Sequence, residues 1–204
     1  FPNENGEPYK SSGGKFVESE LGMIPDDWQE VKISEFITVT DGTHDSPKKQ
    51  DSGYPLITSK HIKNNTLLLN EANLIKKEDY EKINKRSKVD SKDILISMIG
   101  TVGVLYYVLE EDINFAIKNI GLFKTSEKLP YANYIYLYLD SRQIRNYLNQ
   151  RLAGSTQQYI SLGELRNIPI VIPPINVIKK LNKIIEPIVF KIKTNKEQTQ
   201  TLRE

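Results

Sequence analysis

Near its C-terminal end the chain passes from an apolar, strand-like segment, Ile168 to Ile172, through Pro173-Pro174 into a stretch with a heptad stripe. Apolar or small residues recur there at Leu181, Ile185, Ile188, Ile192, Asn195, Thr199 and Leu202. Alternating steps of four and three keep these positions on one narrow line of a helix, the pattern of a coiled-coil seam. From residue 175 to 204 such a helix would reach roughly 45 Å at about 1.5 Å per residue, longer than one side of the domain it leaves. The stripe therefore predicts a partner helix. Pro187 falls inside the run and has no backbone N–H to donate, so a bend is expected there, and the register on both sides favours a bend over an end. Asn195 on the seam costs stability but fixes register when a partner supplies its hydrogen bond.

The 204 residues, 38% of them hydrophobic, suffice for one well-buried core plus this appendage and hardly for two independent domains. Residues 1–20, FPNENGEPYKSSGGKFVESE, are poor in apolar residues and read as a linker. A globular domain is expected over 21–174 and the helix over 175–204. Within the domain, short apolar runs separated by turns predict strands at Trp28 to Ile33, Pro55 to Thr58, Asp93 to Met98, Val102 to Val108, Ile120 to Phe123 and Ile168 to Ile172. Helical spacing predicts helices at Glu78 to Ile83, Asn133 to Leu139 and Arg142 to Leu152. Strands and helices mix without a βαβ repeat, so the fold class is α+β: a mixed, strand-rich domain followed by a long coiled-coil-like helix.

The absence of cysteine removes disulfides and thiolate metal sites and fits a reducing compartment. No apolar run approaches the length of a membrane-spanning helix, so a soluble cytoplasmic protein is expected. Catalytic readings fail on chemistry. Ile172-Pro173-Pro174-Ile175 looks superficially like the Asn/Asp-Pro-Pro-aromatic motif of amino-methyltransferases. It lacks both the oxygen that would accept from the target amine and the ring that would stack on the base, and no glycine-rich loop follows a strand to hold a cofactor. A strand-to-helix hinge is the better reading. Pro25-Asp26 and Glu30-Val31-Lys32 lie too close together to bring carboxylates from separate strands around a nuclease metal. His44 and His61 lack a convincing carboxylate spacing and read as ordinary loop residues. No catalytic residue, metal site or cofactor is predicted.

Binding fits better. A net charge of +2 permits a nucleic-acid partner without demanding one, but the basic residues gather in loops and at element ends. Lys48 and Lys49 lie in the long polar loop DGTHDSPKKQDSGY, Lys60 and Lys63 follow the Pro55 segment, Lys85, Arg86 and Lys88 surround a turn, and Arg142, Arg145 and Arg151 line a helix. Lysines neutralise phosphates, while Asn and Gln read base edges by paired hydrogen bonds. The simpler alternative for any one lysine is a solvated surface with compensating acids. Gly154-Ser155-Thr156-Gln157-Gln158-Tyr159 carries more hydrogen-bonding groups than a connector needs, and Ser161 with Glu164 fits a capping box just after it. The spacing of Tyr131, Tyr134, Tyr136 and Tyr138 within a helix favours core or interface positions over base stacking.

Taken in order, the motifs resemble the specificity subunit of type I restriction-modification systems. They are Leu21-Gly22-Met23-Ile24-Pro25-Asp26-Asp27-Trp28, Asp41-Gly42-Thr43-His44, Pro55-Leu56-Ile57, Asp93 to Ser97 with Gly100-Thr101-Val102-Gly103, Gly154 to Gln157 with Ile160, and Ile168-Pro169-Ile170 with Pro173-Pro174. Each is weak alone; their order, ending in a heptad helix, is specific. The resemblance implies a target recognition domain that reads one half of a bipartite double-stranded DNA sequence, followed by a conserved spacer helix. Thr43, His44, Lys48, Lys49, Lys60, Lys63, Ser155, Thr156, Gln157, Gln158 and Tyr159 are the expected DNA contacts. Leu181, Ile185, Ile188, Ile192, Asn195 and Leu202 are the expected helix-pairing residues.

In the family the subunit is non-catalytic. Adenine methylation belongs to methyltransferase (M) subunits that dock on it, and cleavage to the restriction (R) subunit. A complete subunit carries two recognition domains, and FPNENGEPYKSSGG resembles the segment preceding the second, so a C-terminal half is expected. Val177-Ile178 departs from the Glu-Gln usual early in the spacer helix. Two other readings remain at this level: an assembly scaffold that self-associates through the helix, and the recognition part of a fused DNA methyltransferase.

Overall fold

Ile94-Leu95-Ile96-Ser97 and Ile120-Gly121-Leu122-Phe123 are buried at every position. Apolar runs without alternation form strands covered on both faces, and here they become the central pair of the molecule. The computed structural model describes every residue except Glu4, Asn64, Asn65 and 202–204, and no side chain at 196, 197 or 199–201.

In chain order the strands are β1 (Phe16–Ser19), β2 (Gly22–Pro25), β3 (Gln29–Lys32), β4 (Val39–Asp41), β5 (Tyr54–Ile57), β6 (Ile62–Lys63), β7 (Thr66–Leu67), β8 (Asn73–Ile75), β9 (Ile94–Ser97), β10 (Leu105–Tyr107), β11 (Ala116–Ile117), β12 (Ile120–Phe123) and β13 (Pro169–Ile172). The helices are α1 (Ile33–Phe36), α2 (Lys77–Ser87), α3 (Ala132–Leu139), α4 (Arg142–Asn149), α5 (Leu162–Arg166) and α6 (Ile175–Thr201). An antiparallel sheet in the order β10-β9-β12-β4 lies beside a mixed sheet in the order β11-β5-β8. The expected α+β class and the long C-terminal helix are both present.

The β9–β12 pair separates two cores. Ile94, Ile96 and Phe123 join the cluster containing Ile135, Ile144 and Leu165, while Leu95, Ile120 and Leu122 join the one containing Ile57, Tyr106 and Phe115. Gly121 lets α5 come close: a Cβ there would lie 2.5 Å from Leu165 Cδ1 and 2.6 Å from Ile96 Cγ2.

β13 pairs with β3 on one edge only. Along it, every second carbonyl is capped by a tyrosine hydroxyl: Tyr138 donates to Pro169 O, Tyr134 to Val171 O and Tyr131 to Pro173 O, the last at 3.1 Å. Spacings of three and four, from Tyr131 at the N-cap of α3 through Tyr134 to Tyr138, match alternate carbonyls on a strand, so one helix face caps one strand edge. Tyr136 instead stacks on Tyr107, with centroids 4.8 Å apart. The four tyrosines are thus packed within the domain, as their helical spacing indicates.

The stretch expected to be a linker carries ordered structure. Tyr9 is buried and its hydroxyl donates to Asp26 at 2.6 Å, β1 pairs with β2, and Phe1 meets the Trp28 ring edge-on at 5.0 Å. Its few aromatics cluster although the composition is polar.

At the other end, Val177 and Ile178 are buried, and the Asn182 amide donates to Pro130 O at 2.7 Å. These contacts seat the first turns of α6 on the domain. The helix runs without a break through Pro187, which is exposed; its missing donor leaves the Lys183 carbonyl to water, which is tolerated there. Leu181 and Ile185 are half-buried, whereas Ile184, Ile188 and Ile192 are exposed. Asn195 is exposed, and Leu202 lies outside the described residues.

Tyr134→Phe should lower stability by about 1 kcal/mol, because the Val171 carbonyl then loses its partner inside the fold. Urea unfolding of the variant against wild type measures it, with the same slope and an earlier midpoint expected.

Candidate nucleic-acid interface

β4 ends at Asp41, whose carboxylate is buried at the rim of the central sheet. The chain then leaves the sheet at Gly42, where a Cβ would sit 2.2 Å from Ile117 O, so only glycine fits. A buried carboxylate needs partners, and two come from different elements. Arg86, in the last turn of α2, places Nη2 2.5 Å from Asp41 Oδ1 and also donates to the carbonyls of Asp41 and Gly42 at 2.9 and 3.1 Å. His44 Nε2 lies 2.9 Å from Asp41 Oδ2. One guanidinium therefore fixes the start of the polar loop, and the carboxylate it neutralises orients His44.

His44 Nδ1 faces Asn119 Oδ1 at 2.7 Å. Asn119 has a left-handed backbone with φ 52°, a conformation asparagine tolerates better than most residues. Its backbone N–H donates to Thr43 O at 3.2 Å, and its carbonyl accepts from Ser59 Oγ at 3.3 Å. Asn119 thus joins the loop after β4 to a 3-10 turn at Ser59–His61. The loop has further local ties: Thr43 Oγ1 accepts from Asp45 N at 3.1 Å, Lys118 Nζ donates to Ser46 Oγ at 2.5 Å, and Gln50 N donates to Leu74 O at 2.9 Å.

The polar turn after α4 is built as a closed loop. Ala153 and Tyr159 exchange both backbone hydrogen bonds at 2.9 Å, and Gly100 N donates to Gln158 O at 2.9 Å. Gly154 has φ 89°, and a Cβ there would meet Gln157 O at 2.3 Å, so the glycine is required. Ser155, Thr156, Gln157 and Gln158 are exposed, as is Tyr159. Ser161 caps α5 by accepting from Glu164 N at 3.1 Å. The Glu164 carboxylate turns to Arg151 at 3.2 Å, so only half of the expected capping box forms.

Between the 3-10 turn and this loop lies a cleft of about 570 Å³, lined in part by Lys60, Lys63, Gly100, Thr101, Asn119 and Gln157. A second hollow of about 400 Å³ lies between Thr43 to Pro47 and α2, with Lys82 and Arg86 on its wall. Asn119 and His44 stand between the two. Thr43, His44, Lys60, Lys63 and Gln157 therefore border these hollows. Lys48 and Lys49 are exposed further along the same loop, and Ser155, Thr156, Gln158 and Tyr159 flank Gln157.

The structure sorts the basic residues. Lys82, Arg86, Lys88, Lys124, Arg145, Arg151 and Lys193 each meet a carboxylate, and Arg151 also stacks over Tyr147 at 3.6 Å. Among the described residues, Lys48, Lys49, Lys60 and Lys63 form no ion pair, a state they share with Lys32, Lys85, Lys118, Arg142 and other cations; of these, Lys60 and Lys63 line the cleft. His61, expected to be a surface or loop residue, is buried instead. Its Nδ1 accepts from Thr58 N at 2.9 Å, while burial, then Lys60 and more weakly Lys63, push the imidazole pKa down. It stays neutral and braces the turn that presents Lys60. Sequence reasoning missed Asn119 altogether. Its signal was an Asn between the two short strands β11 and β12, where a left-handed residue is needed.

Comparison with known proteins shows the family. The family model for the type I restriction modification DNA specificity domain matches residues 25–204. Over 158 residues the chain is 26% identical to the type I restriction enzyme EcoBI specificity subunit of Escherichia coli, covering 75% of this chain and 33% of that protein. Over 212 residues it is 20% identical to the MjaIX specificity subunit of Methanocaldococcus jannaschii, covering 97% of this chain and 46% of that one. The chain thus spans less than half the length of these relatives. The HsdS subunit of Thermoanaerobacter tengcongensis has a similar fold, with a TM-score of 0.56 at 14% identity over 90% of this chain and 42% of that one. A chain from a study of complex assembly and conformational transition in the type I R-M system matches with a TM-score of 0.54 at 16% identity, over 94% of this chain and 45% of its own length. With a recognition domain of this build leading through Pro173-Pro174 into a long helix, the chain belongs to the family of type I restriction-modification specificity subunits.

Proposed function

We propose that residues 21–174 form a non-catalytic, sequence-specific reader of one half of a bipartite double-stranded DNA target, acting in the cytoplasm. In this reading α6 is the spacer on which methyltransferase and restriction subunits dock. The observation that carries it is the make-up of the cleft: Lys60 and Lys63, which form no ion pair among the described residues, line it together with Asn119 and with Gln157 of the Ser155 to Tyr159 loop. An unpaired ammonium adds nothing to folding but releases counterions from a phosphate backbone. Thr43, Ser155 and Thr156 supply hydroxyls for phosphate or base edges, and Tyr159 an exposed ring beside them.

Exchanging this domain for that of another specificity subunit should replace one half of the methylated sequence and leave the other half unchanged. Methylome sequencing of cells carrying the assembled system reads this; an unchanged sequence overturns the reading. Within the domain, Lys60→Ala and Lys63→Ala should each weaken matched and unmatched duplexes alike, by about fivefold, and lower the slope of log affinity against log salt by about one. Binding titrations at several salt concentrations measure both.

A second, compatible reading is favoured by the exposure of Ile184, Ile188 and Ile192, at 66%, 53% and 40%. These isoleucines form a stripe on α6 that the domain does not cover, continuing from the half-buried Leu181 and Ile185, fit for antiparallel pairing with a second copy or with another spacer helix. Changing both Ile188 and Ile192 to Asp should abolish any concentration-dependent association in sedimentation without shifting the unfolding midpoint. A monomeric wild-type chain at all concentrations would remove self-association.

A further inference from the structure

Resting on the DNA-reading proposal, we infer that the carboxamides of Asn119 and Gln157 form the base-reading pair of this domain, and that the cleft between them takes the edge of an A·T pair. Both residues line that cleft. Their surroundings divide the work of recognition between phosphate and base. Lys60 and Lys63 on the rim are donors only, compact charges that neutralise phosphate without demanding orientation. A carboxamide carries a donor and an acceptor at fixed separation, the pattern of adenine N6 and N7 in the major groove. Ile99 and Val104 on the cleft wall offer the apolar contact that a thymine methyl seeks. Among the described residues no arginine lines the cleft, and its two lysines stand on the rim, where phosphate rather than a guanine edge is within reach in this arrangement.

Rigidity separates these two residues from other polar side chains on the surface. The Asn119 backbone is held from two sides by Thr43 and Ser59, and one end of its amide is taken by His44, which Asp41 and Arg86 fix in turn. The other amide end has no partner among the described residues. Gln157 sits at the tip of a loop closed by the Ala153–Tyr159 pair and stitched to Gly100, and its side chain has no intramolecular hydrogen bond among the described residues. The held Asn119 amide loses little freedom on binding, the closed loop confines the Gln157 backbone, and a wrong base leaves their polar groups unmatched, which is how selectivity arises.

The test uses a complete specificity subunit carrying this domain, assembled with its methyltransferase subunits, acting on a DNA library with all four base pairs at each half-site position. The variants are Gln157→Ala, on an exposed loop, and Asn119→Gly, which keeps the left-handed backbone. Each should relax selection at one A·T position by about tenfold or more, with the other positions and the salt dependence of non-specific binding unchanged. Uniform weakening at every position would mean that Asn119 only positions the His44 loop, and would overturn the inference. So would unchanged selection in both variants, or relaxation at a G·C position. If Asn119→Gly lowers the melting temperature enough to confuse the reading, Gln157→Ala and the near-isosteric Asn119→Asp decide it. A domain exchange that leaves the methylated sequence unchanged fails the DNA-reading proposal itself. An exchange that moves the sequence while these variants leave selection untouched fails only the assignment of Asn119 and Gln157.

Discussion

The antiparallel register of β9 against β12 is the constraint on which the rest depends. Both strands are buried on both faces, so neither side can carry a polar group and all polar work is pushed to the strand ends. Ile120 pairs with Ser97 and Phe123 with Ile94, which brings the end of β9 and the start of β12 to one rim. Ser97 Oγ donates to Thr101 O at 2.6 Å and accepts from Val104 N at 2.8 Å, shaping the turn that walls the cleft. Asn119, just before Ile120, emerges beside it. At the opposite rim the fully buried Asp93 accepts from Lys124 at 2.5 Å and from Ser126 N at 3.1 Å, closing that end with internal partners. One rim is thus self-satisfied and the other open, and a slip of one residue would exchange the two cores and move Asn119 off the cleft.

The helix meets the domain through a different device. A strand paired on one side presents free carbonyls, and the tyrosine hydroxyls of α3 take them at alternate positions of β13 and at Pro173. Burial raises the pKa of Tyr134 and Tyr138, keeping their hydroxyls protonated as donors. Because the capping reaches Pro173, it holds the residues that set where α6 departs. The apolar pair Val177-Ile178, unusual for the family it resembles, is used here as a plug, with Ile178 fully buried. The isoleucines further along the helix, Ile184, Ile188 and Ile192, stay exposed.

Legibility in the sequence followed the strength of local pattern. The unbroken runs Ile94 to Ser97 and Ile120 to Phe123, the four-residue spacing of Ile144 and Leu148, and the stripe of α6 were all readable because periodicity and burial are local properties. The two- and three-residue strands β4, β6, β7, β8 and β11 were not, since a bridge of two residues is set by the partner that tertiary packing brings. The aromatic cluster of Phe1, Tyr9 and Phe16 was hidden by the polar residues between them. At the proposed interface the segments are conspicuous in the sequence and the geometry is not. Lys48, Lys60 and Gln157 announce themselves by type and loop position, while Arg86 and Asn119 matter only because Asp41 and His44 are folded against them across 45 and 75 residues of chain.

Charge placement decides what a polyanion would meet on this surface. With 28 basic and 26 acidic side chains the chain is nearly neutral, and some charges are paired locally, on α2, at the start of α4 and around Asp90. Such pairs contribute little to stability, a few tenths of a kcal/mol to about 1 kcal/mol each, but they cancel the local field. At the cleft, Lys60 and Lys63 carry no such pair, and the Asp41 carboxylate is engaged by Arg86 and His44 instead. In the proposed reading, the field of these two ammonium groups, which reaches about one Debye length, roughly 8 Å at physiological salt, would draw in a phosphate backbone and leave discrimination to the neutral amides beside them.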